Sequence, residues 1–242
     1  MRQKGRPGRG GGAARGWRFA KFLFFFSGIL LLIRMSEAQA GVIGDPTASG
    51  KPNTLSQFNL DYDLTQRKLR AGEDGFGGQA TSERILLQGI YGLTPFVDLY
   101  LRVGIADLET NSREFEGDFG PALGGGGRWT LFQKGDFKVG VGIQFLEFFS
   151  RDGGSPTPRV NWGELESFIG GALQGMERFT PYIGLSFSKV QAKFKNGPTA
   201  RSDGFIGVFI GAEFLIYQNY YFASEARISS ENSLTLQLNY HL

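Results

Sequence analysis

The chain has no cysteine and a single histidine in 242 residues. Without Cys there is no disulfide, no thiolate zinc site, no iron–sulfur cluster and no cysteine nucleophile. Imidazole chemistry rests on His241 alone, the penultimate residue. Long apolar runs are also lacking. One uncharged stretch, 22–33, stands out, and it is shorter than the ~20 residues a membrane-spanning helix needs. Nucleotide motifs fail on inspection. The stretch from Gly44 to Pro52 has one residue too many between its glycines, and Pro52 stands where a phosphate loop needs Ser or Thr for magnesium. The run Gly124–Gly127 carries no dinucleotide fingerprint. The sequence therefore offers no cofactor site, no metal site and no catalytic set.

What is present suits strands. Gly occurs 37 times and aromatics make up 14% of a chain that is 41% hydrophobic, which favours pleated sheet and tight turns. The formal charge of +3 misleads. The first forty residues hold eight Lys/Arg and one Glu, which leaves 18 basic against 22 acidic residues in the rest. The basicity belongs to the leader and is no argument for nucleic-acid binding. A basic region, the apolar run 22–33, and Ala38-Gln39-Ala40 before Gly41 form the layout of a signal peptide. The expectation is cleavage after Ala40, then a short periplasmic segment, 41–54, and one domain over 55–242.

That domain alternates with period two. Val97, Leu99, Leu101, Val103 and Ile105 are interleaved with Asp98, Tyr100, Arg102 and Gly104, the pattern of a strand with one face in lipid and one in a polar lumen. Such blocks fall at 55–64, 83–93, 96–106, 122–132, 137–148, 162–173, 181–191, 204–216, 220–228 and 233–242. The fold class expected is all-β, a transmembrane antiparallel up-and-down barrel of about ten strands, with eight the alternative. Its connections alternate long (65–82, 107–121, 150–161, 192–203) and short (94–95, 133–136, 174–180, 217–219), with a short outer loop at 230–232. Long extracellular loops and short periplasmic turns are the habit of outer-membrane barrels. Rings flank each short turn: Tyr91 and Phe96, Phe132 and Phe137, Phe179 and Tyr182, Tyr217 and Tyr220, as an interfacial girdle would.

The last strand, Leu234-Thr-Leu-Gln-Leu-Asn-Tyr-His-Leu242, resembles the terminal strand of Gram-negative outer-membrane β-barrel proteins. Those chains have alternating apolar residues, an aromatic third from the end, and usually a terminal Phe. Leu238 and Tyr240 fit, and Leu242 stands in place of Phe. The resemblance implies outer-membrane location, contact with outer-membrane lipid and lipopolysaccharide, and recognition of Leu238, Tyr240 and Leu242 by the barrel-assembly machinery. It does not name an external partner. Outer-membrane proteases and acyl-transfer enzymes, as families, use a His paired with Asp or Ser at the outer face. His241 falls at the opposite rim, so no enzyme is expected.

The inward positions are rich in charge: Asp61, Asp63, Arg84, Asp98, Arg102, Arg128, Lys138, Glu164, Glu166, Glu213, Glu225 and Arg227. A lumen of about ten strands lies nearer the filled limit of eight than the open channel of 16–18. The expectation is a compensating network in a largely filled lumen, with Arg84, Arg102 and Arg128 partnered by acids such as Asp61, Asp98 and Glu164. The function expected is a structural or interaction barrel displaying long loops. A small porin-like channel for ions or small solutes is the alternative.

Overall fold

The structure is a computed structural model, and it describes residues 42–71, 76–111, 115–152, 159–195, 199–229 and 232–242. The leader 1–40 lies outside the described residues.

Eleven strands follow one another: β1 (Thr54–Ala71), β2 (Phe76–Thr94), β3 (Val97–Thr110), β4 (Phe115–Lys134), β5 (Phe137–Asp152), β6 (Arg159–Leu173), β7 (Phe179–Phe194), β8 (Thr199–Ser202), β9 (Ile206–Tyr217), β10 (Tyr220–Ser229) and β11 (Asn232–His241). Each pairs antiparallel with its neighbours, and β11 returns to β1 from Gln57↔His241 to Gln66↔Asn232. The sheet is therefore closed, so its ladders have no free edge along that contact.

The ring changes size along its axis. The β10–β11 hairpin ends level with Gln66, and above it β8 takes the place beside β1, from Leu69↔Ser202 to Ala71↔Ala200. On its other side β8 pairs with β7. β8 and β9 run on as one strand with an irregular step. There Ser188 N donates to Phe205 O (2.9 Å) and Asp203 N to Lys68 O (3.1 Å). Ten strands thus surround the axis at the end with the short turns, and eight at the far end. The reason is that β10 ends at Ser229 and β11 begins at Asn232, so these two strands stop early.

Polarity inverts at the same level. Toward the short turns, outward positions are apolar (Leu60, Leu87, Leu101, Phe145, Leu165, Ile210, Leu238) and inward ones polar or charged. Toward the far end the two faces exchange character. Lys68, Arg70, Glu83, Glu109, Glu147, Lys189 and Lys193 face outward, while Leu69, Ala80, Leu108, Phe115, Phe148, Val160, Trp162 and Val190 pack inside as one apolar cluster. Phe148 and Trp162 stack with centroids 5.7 Å apart, and Phe115 meets Phe194 edge-on at 6.1 Å. This half is built like a water-soluble barrel, with its core inside.

Inversion explains the main departure from the sequence reading. Most residues of the four long connections are strand. β1 and β2 leave only 72–75 between them, β3 and β4 only 111–114, β5 and β6 only 153–158, and β7 and β8 only 195–198. The apolar outward residues end where the outward face turns polar, although the backbone ladder continues. A second correction concerns the rings. Tyr91, Phe96, Phe132, Phe137, Tyr217 and Tyr220 are exposed outward, but Tyr182 is buried inside. It lies three residues from Phe179, and a period of two sends them to opposite faces.

The inward apolar cluster predicts a core-type response. Trp162 is 0% exposed, so Trp162→Ala should destabilise the fold by about 3–5 kcal/mol in urea unfolding, as large-to-small core changes do.

Candidate functional site: the barrel lumen

Among the described residues, eleven charged ones are buried inside the barrel: Arg67, Arg84, Arg102, Arg128, Arg227, Asp61, Asp63, Asp98, Glu164, Glu166 and Glu225. They come from successive inward positions, Asp61, Asp63 and Arg67 on β1, Glu164 and Glu166 on β6, Glu225 and Arg227 on β10. A buried charge is costly unless it is paired or hydrogen-bonded; nine of these stand in ion pairs, and Arg102 and Asp61 are hydrogen-bonded to neutral groups.

Two clusters cross the middle of the lumen. In one, Glu164 accepts from Arg67 (3.2 Å) and Arg84 (3.3 Å), and Asp63 stands 3.7 Å from Arg84. Arg67 also donates to Ser188 Oγ at 2.8 Å. The Arg84 guanidinium lies 5.5 Å above the Phe148 ring and 5.8 Å from that of Trp162, so the charged layer rests on the apolar one. In the other, Arg227 donates to both oxygens of Glu166 (2.8 and 3.0 Å) and to Glu225 (2.8 Å). Glu166 also accepts from Gln144, which accepts from Tyr100.

Toward the short turns the lumen is filled by the chain itself. Within the stretch read as a short periplasmic segment, Val42, Ile43, Thr47 and Ala48 are buried in the barrel and 50–54 are exposed. Ile43 N and Gly44 N donate to the Glu225 carboxylate (3.1 and 2.9 Å), and Arg102 donates to Val42 O (2.6 Å). Arg128 donates to Asp45 O (2.8 Å). Ala48 N donates to Thr130 Oγ1 (2.9 Å), and Ser49 N and Oγ donate to Asp98 (2.8 and 2.9 Å). Glycines make the room. A Cβ on Gly140 would sit 2.2 Å from Pro46 O, and one on Gly92 would sit 1.9 Å from Lys51 O. The residues that fail as a phosphate loop thus serve as a plug.

The expected pairs fall out unevenly. Arg128 grips Asp98 at 2.9 and 3.0 Å, and Arg84 reaches Glu164. Arg102 does not bridge to Asp61. It donates to Val42 O and, with the Gln88 amide oxygen turned toward it, donates to that oxygen at 2.9 and 3.0 Å. Asp61 accepts from Gln237 (2.7 Å) instead. Glu213 sits lower, accepting from Asn239 (2.7 Å) and 3.0 Å from His241 Nε2, whose ring stacks on Tyr221 at 4.1 Å. These last groups and the plug border a cavity of about 310 Å³ at the short-turn mouth. At the barrel seam, Leu238 faces outward, Tyr240 meets Tyr220 at 4.9 Å, and Leu242 N donates to Ser56 O (3.0 Å).

Sequence reasoning missed Arg67, placed in a loop, and the plug. Arg67 continues the odd-numbered inward phase of Asp61, Asp63 and Thr65, and that phase is the signal that could have found it. The plug has no periodicity of its own, since it pairs with no strand.

No protein-family profile matches the chain, and no curated protein matches it. Solved structures align with most of the chain at low identity. An outer-membrane channel from Pseudomonas putida F1 aligns with 84% of this chain and all of its own, at 9% identity and a TM-score of 0.47. The outer-membrane protease OmpT of Escherichia coli aligns with 80% of this chain and all of its own, at 12% identity and a TM-score of 0.43. The translocator domain of the autotransporter NalP from Neisseria meningitidis covers 78% of this chain and 89% of its own, at 10% identity and a TM-score of 0.45.

The plug should be separable from the barrel. The chain lacks Cys, so Thr47→Cys gives one thiol at a position 1% exposed. A maleimide should label it at least about tenfold more slowly than Asn53→Cys, the ratio that about 1.4 kcal/mol of local closure produces. Adding Gly140→Val should erase that difference while the barrel stays folded.

Proposed function

We propose that this protein is an outer-membrane β-barrel with a closed lumen, acting as a structural or interaction scaffold and presenting a folded collar above the membrane. The observation that carries the reading is that three different fillings succeed one another across the lumen: the plug 42–50, the arginine–carboxylate layer, and the apolar layer around Phe148 and Trp162. An ion would have to displace a peptide, break buried pairs and then cross an apolar plug.

The membrane part of the reading rests on the outward face. From Val97 to Ile105 every second residue is an outward apolar one. That stretch rises about 27 Å along the strand and, at a tilt of about 40°, about 20 Å in height, near the ~25 Å band of outer-membrane barrels. The exposed rings at the short turns suit one interface, and the leader suits export. No catalytic role is proposed, because His241 and Glu213 lie at the short-turn mouth rather than among the collar residues. The extra strand length makes much of the outer portion strand rather than irregular loop.

One feature favours a second reading, a gated channel. The plug pairs with no strand and is held largely by side chains, so it could leave without unfolding the barrel. Deleting 42–50 separates the two. The scaffold reading expects planar-bilayer recordings of wild type and of the deletion to show no steady conductance, since two layers remain. Steady current on deletion would support the gate, and large stable wild-type current would overturn the scaffold. For the membrane reading, Leu101→Arg should cost about 2–4 kcal/mol of folding stability in lipid vesicles. Glu109→Arg, outward on the same strand but in the collar, should leave it unchanged.

A further inference from the structure

At the level where the outward face turns from apolar to charged, the wall carries a dent of about 420 Å³, bordered by Phe145, Glu147, Gly163, Leu165, Lys189 and Arg201. Four neighbouring strands make it. Glu147 on β5 faces Gly163 on β6, Gly163 faces Gln191 on β7, and Gln191 faces Arg201 on β8. The floor is Gly163, where an added Cβ would meet nothing within 4 Å. Phe145 and Leu165 pair across β5 and β6 one row nearer the short turns and belong to the apolar outward face.

The charges around the dent are unequal. Lys189 and Arg201 are exposed, and among the described residues neither has a carboxylate within 4 Å. Beyond them the outward basic face continues with Lys193 on β7 and with Arg151 and Arg159, which are partners across β5 and β6. Arg70, beside Arg201, is held by Asp203 at 2.7 Å. Two carboxylates border the dent: Glu147, exposed, accepts from Asn161 at 3.0 Å, and Glu164, buried beneath the wall, is held by Arg67 and Arg84. From Lys189 to Lys193 the cations are spread over about 13 Å along the strand, and from β7 to β8 over a further strand spacing of about 4.8 Å.

We infer that this dent and its basic rim bind a phosphorylated glycolipid of the outer leaflet. Acyl chains would lie against Phe145 and Leu165, and headgroup phosphates would sit on Lys189 and Arg201. Charge-assisted hydrogen bonds from guanidinium and ammonium to phosphate are the strong ones. The spread of cations over several rows suits a headgroup with more than one phosphate better than a phospholipid with one. The inference rests on the membrane reading given under Proposed function, because only a barrel inserted to this level brings lipid headgroups to the dent.

The test uses the full mature chain refolded into phosphatidylcholine vesicles containing lipid A, or lipid A with both phosphates removed. Insertion is read first, by protection from added protease. Lipid A that remains with the protein after detergent extraction is then quantified. Wild type should retain phosphorylated lipid A at least about tenfold over the dephosphorylated form, a ratio equal to about 1.4 kcal/mol. The double variant Lys189→Gln/Arg201→Gln should lose that preference. Gly163→Trp should lose it too, by filling the dent without touching a charge. Lys134→Gln, at the short-turn rim, should retain it. Inserted wild type with no preference, or equal retention by the double variant, overturns the inference and leaves the membrane reading standing. Equal retention of phosphatidylglycerol, tested in the same way, also overturns it. Failure of wild type to insert overturns the membrane reading and this inference with it.

Discussion

The pairing of β11 with β1 is the constraint on which the rest depends. A strand in lipid has no water to satisfy its N–H and C=O groups, so each must find a neighbour, and only a closed ring leaves none over. Once the ring is closed, the backbone no longer depends on which solvent surrounds it. The same ladder can run from lipid into water without interruption, and the side chains alone must change. They do so by exchanging faces. Leu101 and Arg102 face out and in on β3, and eight residues on, Glu109 faces out where Leu108 faces in.

Filling follows from this exchange. In the part with an apolar exterior, the interior must take the polar side chains, and a lumen of ten strands is too narrow to hydrate eleven buried charges. Seven of them pair in two arginine–carboxylate clusters, Arg128 pairs with Asp98, and Arg102 and Asp61 are met by Val42 O and the Gln237 amide. Part of the space at the short-turn mouth is occupied by the chain's own segment 42–50, whose backbone N–H groups meet Glu225 and Asp98. Hydrogen bonds to carboxylates are worth more than neutral ones, so a short peptide without strand pairing can be held in a fixed place. In the part with a charged exterior, the eight-stranded ring has an interior that side chains fill completely, and it does so with Phe148, Trp162 and their neighbours.

Most of the barrel was legible in the sequence because an apolar outward face against a polar inward one is a strict alternation. The strand phases of β3, β5, β9 and β11 follow directly from residues such as Leu101, Ile143, Ile210 and Leu238. Strand length was not legible, because the alternation of apolar with polar vanishes where both sides can be polar, as at Gln66, Arg67 and Lys68. The inward charges were legible as a set, since they share the phase opposite to the lipid face. Their partners were legible only in part. Arg128 and Asp98 sit on adjacent strands in register, whereas Arg67 reaches across the lumen to Glu164 on β6, a distance that no local pattern encodes. The plug was not legible at all, because its place is set by Gly92 and Gly140 on other strands.

The central claim is that one continuous sheet passes between two solvents at a defined level. Depth-dependent fluorescence quenching tests it most directly. A single Cys, introduced in turn at outward positions 99, 101, 103, 105, 107 and 109 of β3, would carry an environment-sensitive dye in vesicles containing brominated lipid. The account predicts strong quenching at 99 through 105 and a fall to the level of an aqueous dye at 107 and 109, with secondary structure unchanged in every variant. Quenching that continues through 109, or that is absent along the whole strand, would contradict it.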